Sequence, residues 1–124
     1  MDQRILVVDD EPAIADSLVA VLRKSGYTAL AAYNGEEAID VVETFQPALV
    51  ITDVVMHKLS GIELAIRLRA NHPNCKILLL SGQATTEDLI QDAERRGYWF
   101  EIIAKPIHPR HFLPRIAAIL ETPL

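Results

Sequence analysis

The chain has one cysteine, Cys75, so no disulfide can form within it. Cys75 stands just before an apolar run, the setting of a small semi-buried side chain rather than of a redox centre. No apolar run approaches the roughly 20 residues needed to cross a bilayer. The amino terminus has Asp2 and Arg4 and then only four strong apolar residues, so a secretory leader is not expected. Long runs of like charge, repeats, linkers and low-complexity stretches are missing as well. With a net charge of −5 and a pI near 5.3, non-specific binding to nucleic acid or to an anionic membrane is disfavoured. These absences lead to the expectation of a single domain spanning residues 1–124, soluble and cytoplasmic.

Short apolar runs are what the chain does have. Half of its 124 residues are hydrophobic, enough for one sizeable core. Four runs end on reactive polar residues: Ile5-Leu6-Val7-Val8 on Asp9-Asp10, Ala48-Leu49-Val50-Ile51-Thr52 on Asp53, Ile77-Leu78-Leu79-Leu80 on Ser81, and Ile102-Ile103-Ala104 on Lys105. Thr28 to Ala32 reads as a further, more modest strand. Segments of helical period separate the runs, which is the pattern of repeated βαβ units. Their apolar stripes are Ile14, Leu18, Val21 and Leu22; Ala38, Val41, Val42 and Phe45; Ile62, Ala65 and Ile66; Leu89, Ile90 and Ala93; and Leu113, Ile116, Ala117 and Leu120. Pro12, Asn34-Gly35 and Thr85 or Thr86 mark helix starts, while Gly26, Pro47, Asn71 to Pro73 and Gly97 mark stops. Five strands alternating with five helices predict a doubly wound α/β fold. Right-handed crossovers favour a flavodoxin-like (βα)5 three-layer sandwich with parallel order 2-1-3-4-5.

In that order strands one and three are neighbours, and Asp9, Asp10 and Asp53 meet beyond their carboxyl ends. Capping of the next helix alone explains Asp10, but not Asp9 and Asp53 together. Three carboxylates crowded into a partly desolvated site require a cation, and an all-oxygen donor set suits Mg²⁺ or Mn²⁺. Lys105 adds one positive charge from a nearby strand end. Ser81 can donate a hydrogen bond to an incoming anionic oxygen, though a serine after a strand is common.

Val7-Val8-Asp9-Asp10-Glu11, Thr52-Asp53 followed by Met56 and Ser60-Gly61, Leu80-Ser81-Gly82, and Lys105-Pro106 together resemble the receiver domain of two-component response regulators. The resemblance runs from Arg4 to Leu120. It implies that Asp53 accepts a phosphoryl group from the phosphohistidine of a sensor histidine kinase or phosphotransfer protein. It implies further that Asp10 and Asp53 ligate Mg²⁺ directly, Asp9 mostly through water, and that the backbone carbonyl of Val55 completes the protein share. Ser81 and Lys105 would hold phosphoryl oxygens. Such a chain is a self-phosphorylating and self-dephosphorylating switch rather than a turnover enzyme. Its output would come from the last two strands and helices, through an attached output domain, a separate target protein or a homodimer. Direct nucleic-acid binding by the domain is not expected.

Three departures from that family pattern stand out. His57 occupies the place of a proline, which implies a less rigid loop; as a ligand it is disfavoured, because Mg²⁺ prefers oxygen. Ile102 stands where an aromatic residue commonly reports activation, while Tyr98-Trp99-Phe100 just upstream is expected to pack at the core edge, with an exposed partner patch as the alternative. Pro114 falls inside the last helix unless that helix begins near His111. Val55 and Gln83, two residues past Asp53 and Ser81, are expected to tune hydrolysis, an apolar Val55 favouring a longer-lived phosphoryl state. Two rival classes remain. A phosphatase of the haloacid-dehalogenase type needs a second acid two residues after its nucleophile, where this chain has Val55. A flavodoxin-like cofactor binder needs a glycine-rich or hydroxyl-rich phosphate loop, where this chain has Asp9-Asp10-Glu11.

Overall fold

The structure, a computed structural model, describes residues 3–82 and 86–122. Strand β1 (Arg4–Val8) leads into helix α1 (Pro12–Lys24), and the alternation continues through β2 (Thr28–Ala32), α2 (Gly35–Phe45), β3 (Leu49–Asp53), α3 (Gly61–Asn71), β4 (Lys76–Ser81), α4 (Thr86–Arg95), β5 (Glu101–Ala104) and α5 (Pro109–Glu121). The five strands form one sheet in the order β2-β1-β3-β4-β5, every neighbouring pair parallel. This is the predicted doubly wound order. Among the described residues no helix is long and apolar enough to cross a membrane.

Alternation along the strands splits the core into two layers, because successive strand residues point to opposite faces. Leu6, Val8, Val50, Ile77 and Leu79 pack toward α2, α3 and α4, together with Ala38, Val42, Ile62, Ala65 and Ala93. Ile5, Val7, Leu49, Ile51, Leu78 and Leu80 pack toward α1 and α5, with Ala15, Leu22, Phe112 and Ile116. The central strands are therefore buried on both sides, which is why they read as unbroken apolar runs.

Helix ends are tied by side chains. Asn34 Oδ1 accepts from the Glu37 N–H at 2.8 Å, and Ser60 Oγ accepts from the Glu63 N–H at 3.2 Å. At the opposite sheet edge, cations on strand-initial residues meet helix carboxyl ends, where they complement the dipole. Arg4 Nε donates to the Phe45 carbonyl at 2.7 Å, and Lys76 Nζ donates to the Ile119 carbonyl at 2.7 Å.

Several predicted faces shift. The buried residues of α1 are Ala15, Val19 and Leu22, with Ile14, Leu18 and Val21 only half-buried. In α5 they are Phe112, Ile116 and Ile119, so Ile116 is buried as expected while the expected Leu113, Ala117 and Leu120 are only half-buried beside them. Leu89 of α4 is exposed, leaving Ala93 as the helix's buried contact and Ile90 half-buried beside it. Ala15 and Ala93 are fully buried, with larger half-buried residues beside them, as small side chains allow a helix to pack closely. Helix α5 begins at Pro109 and not near His111, so Pro114 lies inside it and withholds the N–H that would bond the Arg110 carbonyl. The expected cap at Thr85, and Gln83, lie outside the described residues. Cys75 is buried, more deeply than the semi-buried setting expected, and burial pushes its thiol up to about 11, the state of an unreactive group.

Phe112 is the largest fully buried side chain and fills the layer between α5 and the sheet. Phe112→Ala is expected to lower stability by about 3–5 kcal/mol, read from urea unfolding with an unchanged m-value.

Candidate functional site

Sheet register assembles the site. Val8 pairs with Thr52 across β1 and β3, so the next residues, Asp9 and Asp53, leave the sheet side by side. Ser81 pairs with Ala104 across β4 and β5, and the Lys105 N–H donates to the Ser81 carbonyl at 2.9 Å, which sets the lysine beside that serine. One oxygen from each of Asp9, Asp10 and Asp53 lies within 4.8 Å of the others, the one such acidic cluster among the described residues. Asp9 is fully buried and Asp53 is 8% exposed, whereas Asp10 faces the opening.

Lys105 is the cation that holds this cluster together. Its Nζ lies 3.3 Å from Asp53 Oδ1 and 3.6 Å from Asp9 Oδ2. Even so, burial raises the Asp53 pKa above the ordinary carboxylate value; Lys105 opposes that shift and the Asp9 charge adds to it. One ammonium cannot neutralise three ionised carboxylates. Asp9 Oδ1 accepts from the Glu11 N–H at 3.0 Å, but Asp9 Oδ2 is buried without a hydrogen-bond partner. A buried carboxylate oxygen with no hydrogen bond, sharing one ammonium with Asp53 in an oxygen-only donor set, fits a hard divalent cation, so the residues present suit Mg²⁺ or Mn²⁺.

The loop between β3 and α3 shapes the mouth of the cleft. Val55 is exposed there and lines the cleft together with Asp10, Asp53, His57 and Lys105. His57 donates its backbone N–H to Asp10 Oδ2 at 3.1 Å, a tie across the site that sequence reasoning missed. A proline at position 57 has no such donor. The loop closes where the Gly61 N–H donates to the Val54 carbonyl at 2.9 Å. A Cβ on Gly61 would lie 1.9 Å from the Asp53 carbonyl oxygen, so only glycine lets α3 start against the phosphoacceptor candidate's backbone. The sequence signal was the Ser60-Gly61 pair, a cap followed by a residue of low helix propensity.

Around β5 the aromatic stretch divides. Tyr98 and Phe100 stack with ring centroids 6.3 Å apart and pack against the core, and the Arg69 guanidinium lies 4.6 Å from the Phe100 centroid. Trp99 points the other way and is 65% exposed. Edge packing thus holds for two of the three residues, and exposure for the third. Ile102 is half-buried against the same core layer.

Gly61→Ala is expected to push α3 away from Asp53 and to destabilise the fold by about 1–3 kcal/mol. Chemical denaturation checks the stability, and amide chemical shifts of residues 53 to 61 report the displacement.

Comparison with known proteins agrees with this geometry. Residues 5–117 match the model of the response regulator receiver domain. The chain is 38% identical over 120 residues to the alkaline phosphatase synthesis transcriptional regulatory protein PhoP of Bacillus subtilis, covering 97% of this chain and 49% of that protein. It is 32% identical over 120 residues to the DNA-binding response regulator MtrA of Mycolicibacterium smegmatis, covering 97% and 51%. The chain therefore spans about half the length of the curated relatives it matches. Among solved structures, a CheY-like response regulator receiver domain protein from Methanospirillum hungatei superposes with a TM-score of 0.87 at 29% identity, covering 98% of this chain and 95% of that one. A family match over nearly the whole chain and a five-stranded sheet in the order of its solved neighbours agree: the chain belongs to the response regulator receiver domain family, the signalling-switch module of two-component systems.

Proposed function

We propose that this chain is a phosphoacceptor switch in which Asp53 takes a phosphoryl group from the phosphohistidine of a sensor histidine kinase or phosphotransfer protein. The observation that carries this reading is the Lys105 ammonium 3.3 Å from Asp53 Oδ1, at the rim of a three-carboxylate cluster. An Asp53 carboxylate oxygen attacks phosphorus in line, the new P–O bond forms as the P–N bond breaks, and the electron pair returns to the imidazole nitrogen. Charge in that transition state lies on the equatorial phosphoryl oxygens, so catalysis is positioning plus cation stabilisation. Asp9, Asp10, Asp53 and the Val55 carbonyl would hold Mg²⁺ or Mn²⁺, which supplies the second positive charge for those oxygens. Lys105 supplies the first, exchanging its contact with Asp53 for one with the transferred group.

Phosphorylation replaces one carboxylate with a group of about two negative charges and three strong acceptor oxygens. Ser81 donates its hydroxyl to one of them, and with Lys105 drawn to another, the ends of β4 and β5 move together. Helix α4, whose buried anchor is Ala93, and half-buried β5 then repack as the output face. That face would signal to an output domain, a target protein or a second copy, in the cytoplasm. The domain itself, acidic overall, does not bind nucleic acid. Water attack on phosphorus returns Asp53 and inorganic phosphate, so the chain times a signal rather than turning over substrate.

Incubation with acetyl phosphate and Mg²⁺ is expected to add one phosphoryl group by intact mass, with acetate as leaving group. Chelation of the metal and Asp53→Asn each abolish the gain. An unmodified wild type, or catalytic turnover of a general phosphate ester, overturns the reading. Because Val55 is apolar and lines the approach to Asp53, the label is expected to persist for minutes or longer; decay within seconds after removal of the donor counts against that lifetime.

A further inference from the structure

One group in the cleft has no part in the phosphoacceptor chemistry. The ring of His57 places Nε2 4.0 Å from Asp10 Oδ2, the oxygen to which the same residue donates its backbone N–H. The backbone bond seats the residue beside Asp10 of the carboxylate cluster, and the side chain is 92% exposed. Two metal–ligand bonds of about 2.1 Å span at most about 4.2 Å, so an imidazole nitrogen and a carboxylate oxygen at this separation are within reach of one ion. The cleft has room for it, with a volume of 680 Å³ lined by Asp10, Asp53, Val55 and His57 among others.

Ligand chemistry then decides which ion benefits. Carboxylates and carbonyls alone suit Mg²⁺ or Mn²⁺, and Mg²⁺ gains nothing from an imidazole. Co²⁺, Ni²⁺ and Zn²⁺ do gain, and they also stand higher in the general affinity order for mixed nitrogen and oxygen sites. The objection to His57 as a ligand therefore applies to Mg²⁺ and not to these ions. The buried Asp9 Oδ2, without a hydrogen-bond partner, gives the site an acceptor that any of them would satisfy.

We propose that His57 is a fourth side-chain ligand of the Asp9, Asp10 and Asp53 site, giving this chain selectivity for imidazole-binding divalent transition ions over Mg²⁺. The proposal rests on the metal site of the phosphoacceptor reading and adds the residue that sets its preference.

Metal-stripped full chain titrated calorimetrically with Co²⁺ and with Mg²⁺ tests it, with the visible absorption of Co²⁺ as a second readout of nitrogen ligation. In both His57→Ala and His57→Gln the ratio of Co²⁺ to Mg²⁺ affinity is expected to fall about tenfold or more, and the Co²⁺ spectrum to change. The rival binding place is the exposed His108 and His111 pair at the start of α5, whose ring centroids are 6.1 Å apart. A combined His108→Ala and His111→Ala variant is expected to keep the wild-type ratio. An unchanged ratio in the His57 variants, or Co²⁺ binding lost with the α5 pair, overturns the proposal and means an adventitious ion only. If the wild type still takes a phosphoryl group from acetyl phosphate with Mg²⁺, that failure concerns His57 alone; if it neither binds Mg²⁺ nor is labelled, the phosphoacceptor reading falls as well.

Discussion

Mutual repulsion among Asp9, Asp10 and Asp53 is the constraint around which the carboxyl edge of the sheet is organised. Two of the three are buried, and in a medium of reduced dielectric their charges interact far more strongly than in water. Lys105 offsets part of that repulsion through contacts of 3.3 and 3.6 Å, and the Glu11 N–H offsets more at Asp9. The remainder is unmet in the chain itself, as the unbonded Asp9 Oδ2 records. A site left short of positive charge is primed for cations and for chemistry that changes its charge.

The rest of the fold supplies the rigidity that such crowding requires. Central strands packed on both faces leave little freedom at the ends of β1 and β3, so neither Asp9 nor Asp53 can retreat toward solvent. Gly61 presses the start of α3 against the Asp53 backbone, and the His57 N–H ties the intervening loop to Asp10. Farther from the cluster the packing thins. Glu101–Ala104 is exposed or half-buried throughout, and among the described side chains of α4 Ala93 is the fully buried one. A tightly packed acidic site thus sits next to a face with fewer buried contacts.

Much of this was legible in the chain. Apolar runs of three to five residues ending on Asp9, Asp53, Ser81 and Lys105 located β1, β3, β4 and β5, and the first three, buried on both faces, carry no polar alternation to confuse them. Helix faces were less legible. Periodicity marks which side of a helix is apolar, yet in α1, α4 and α5 it does not single out which residue on that side is buried most deeply. There Ala15, Ala93 and Phe112 outrank Ile14, Leu89 and Leu113, because approach distance and the shape of the sheet surface decide which residue is innermost. Similarly, Tyr98-Trp99-Phe100 reads as one aromatic block, but an extended backbone sends alternate residues to opposite sides and leaves Trp99 outside.

By itself the sequence determined the alternation of elements, the crossover rule that orders them, and the chemical types that stand at the strand ends, for these depend on local pattern and on the handedness of the backbone. Only the tertiary structure decided which of those groups touch. The pairing of Val8 with Thr52 sets Asp9 beside Asp53, the β4–β5 register carries Lys105 to both, and the loop brings His57 over Asp10. Distances of 3 to 4 Å between residues some 40 to 100 positions apart depend on the packing of every strand between them, and no local pattern contains that information.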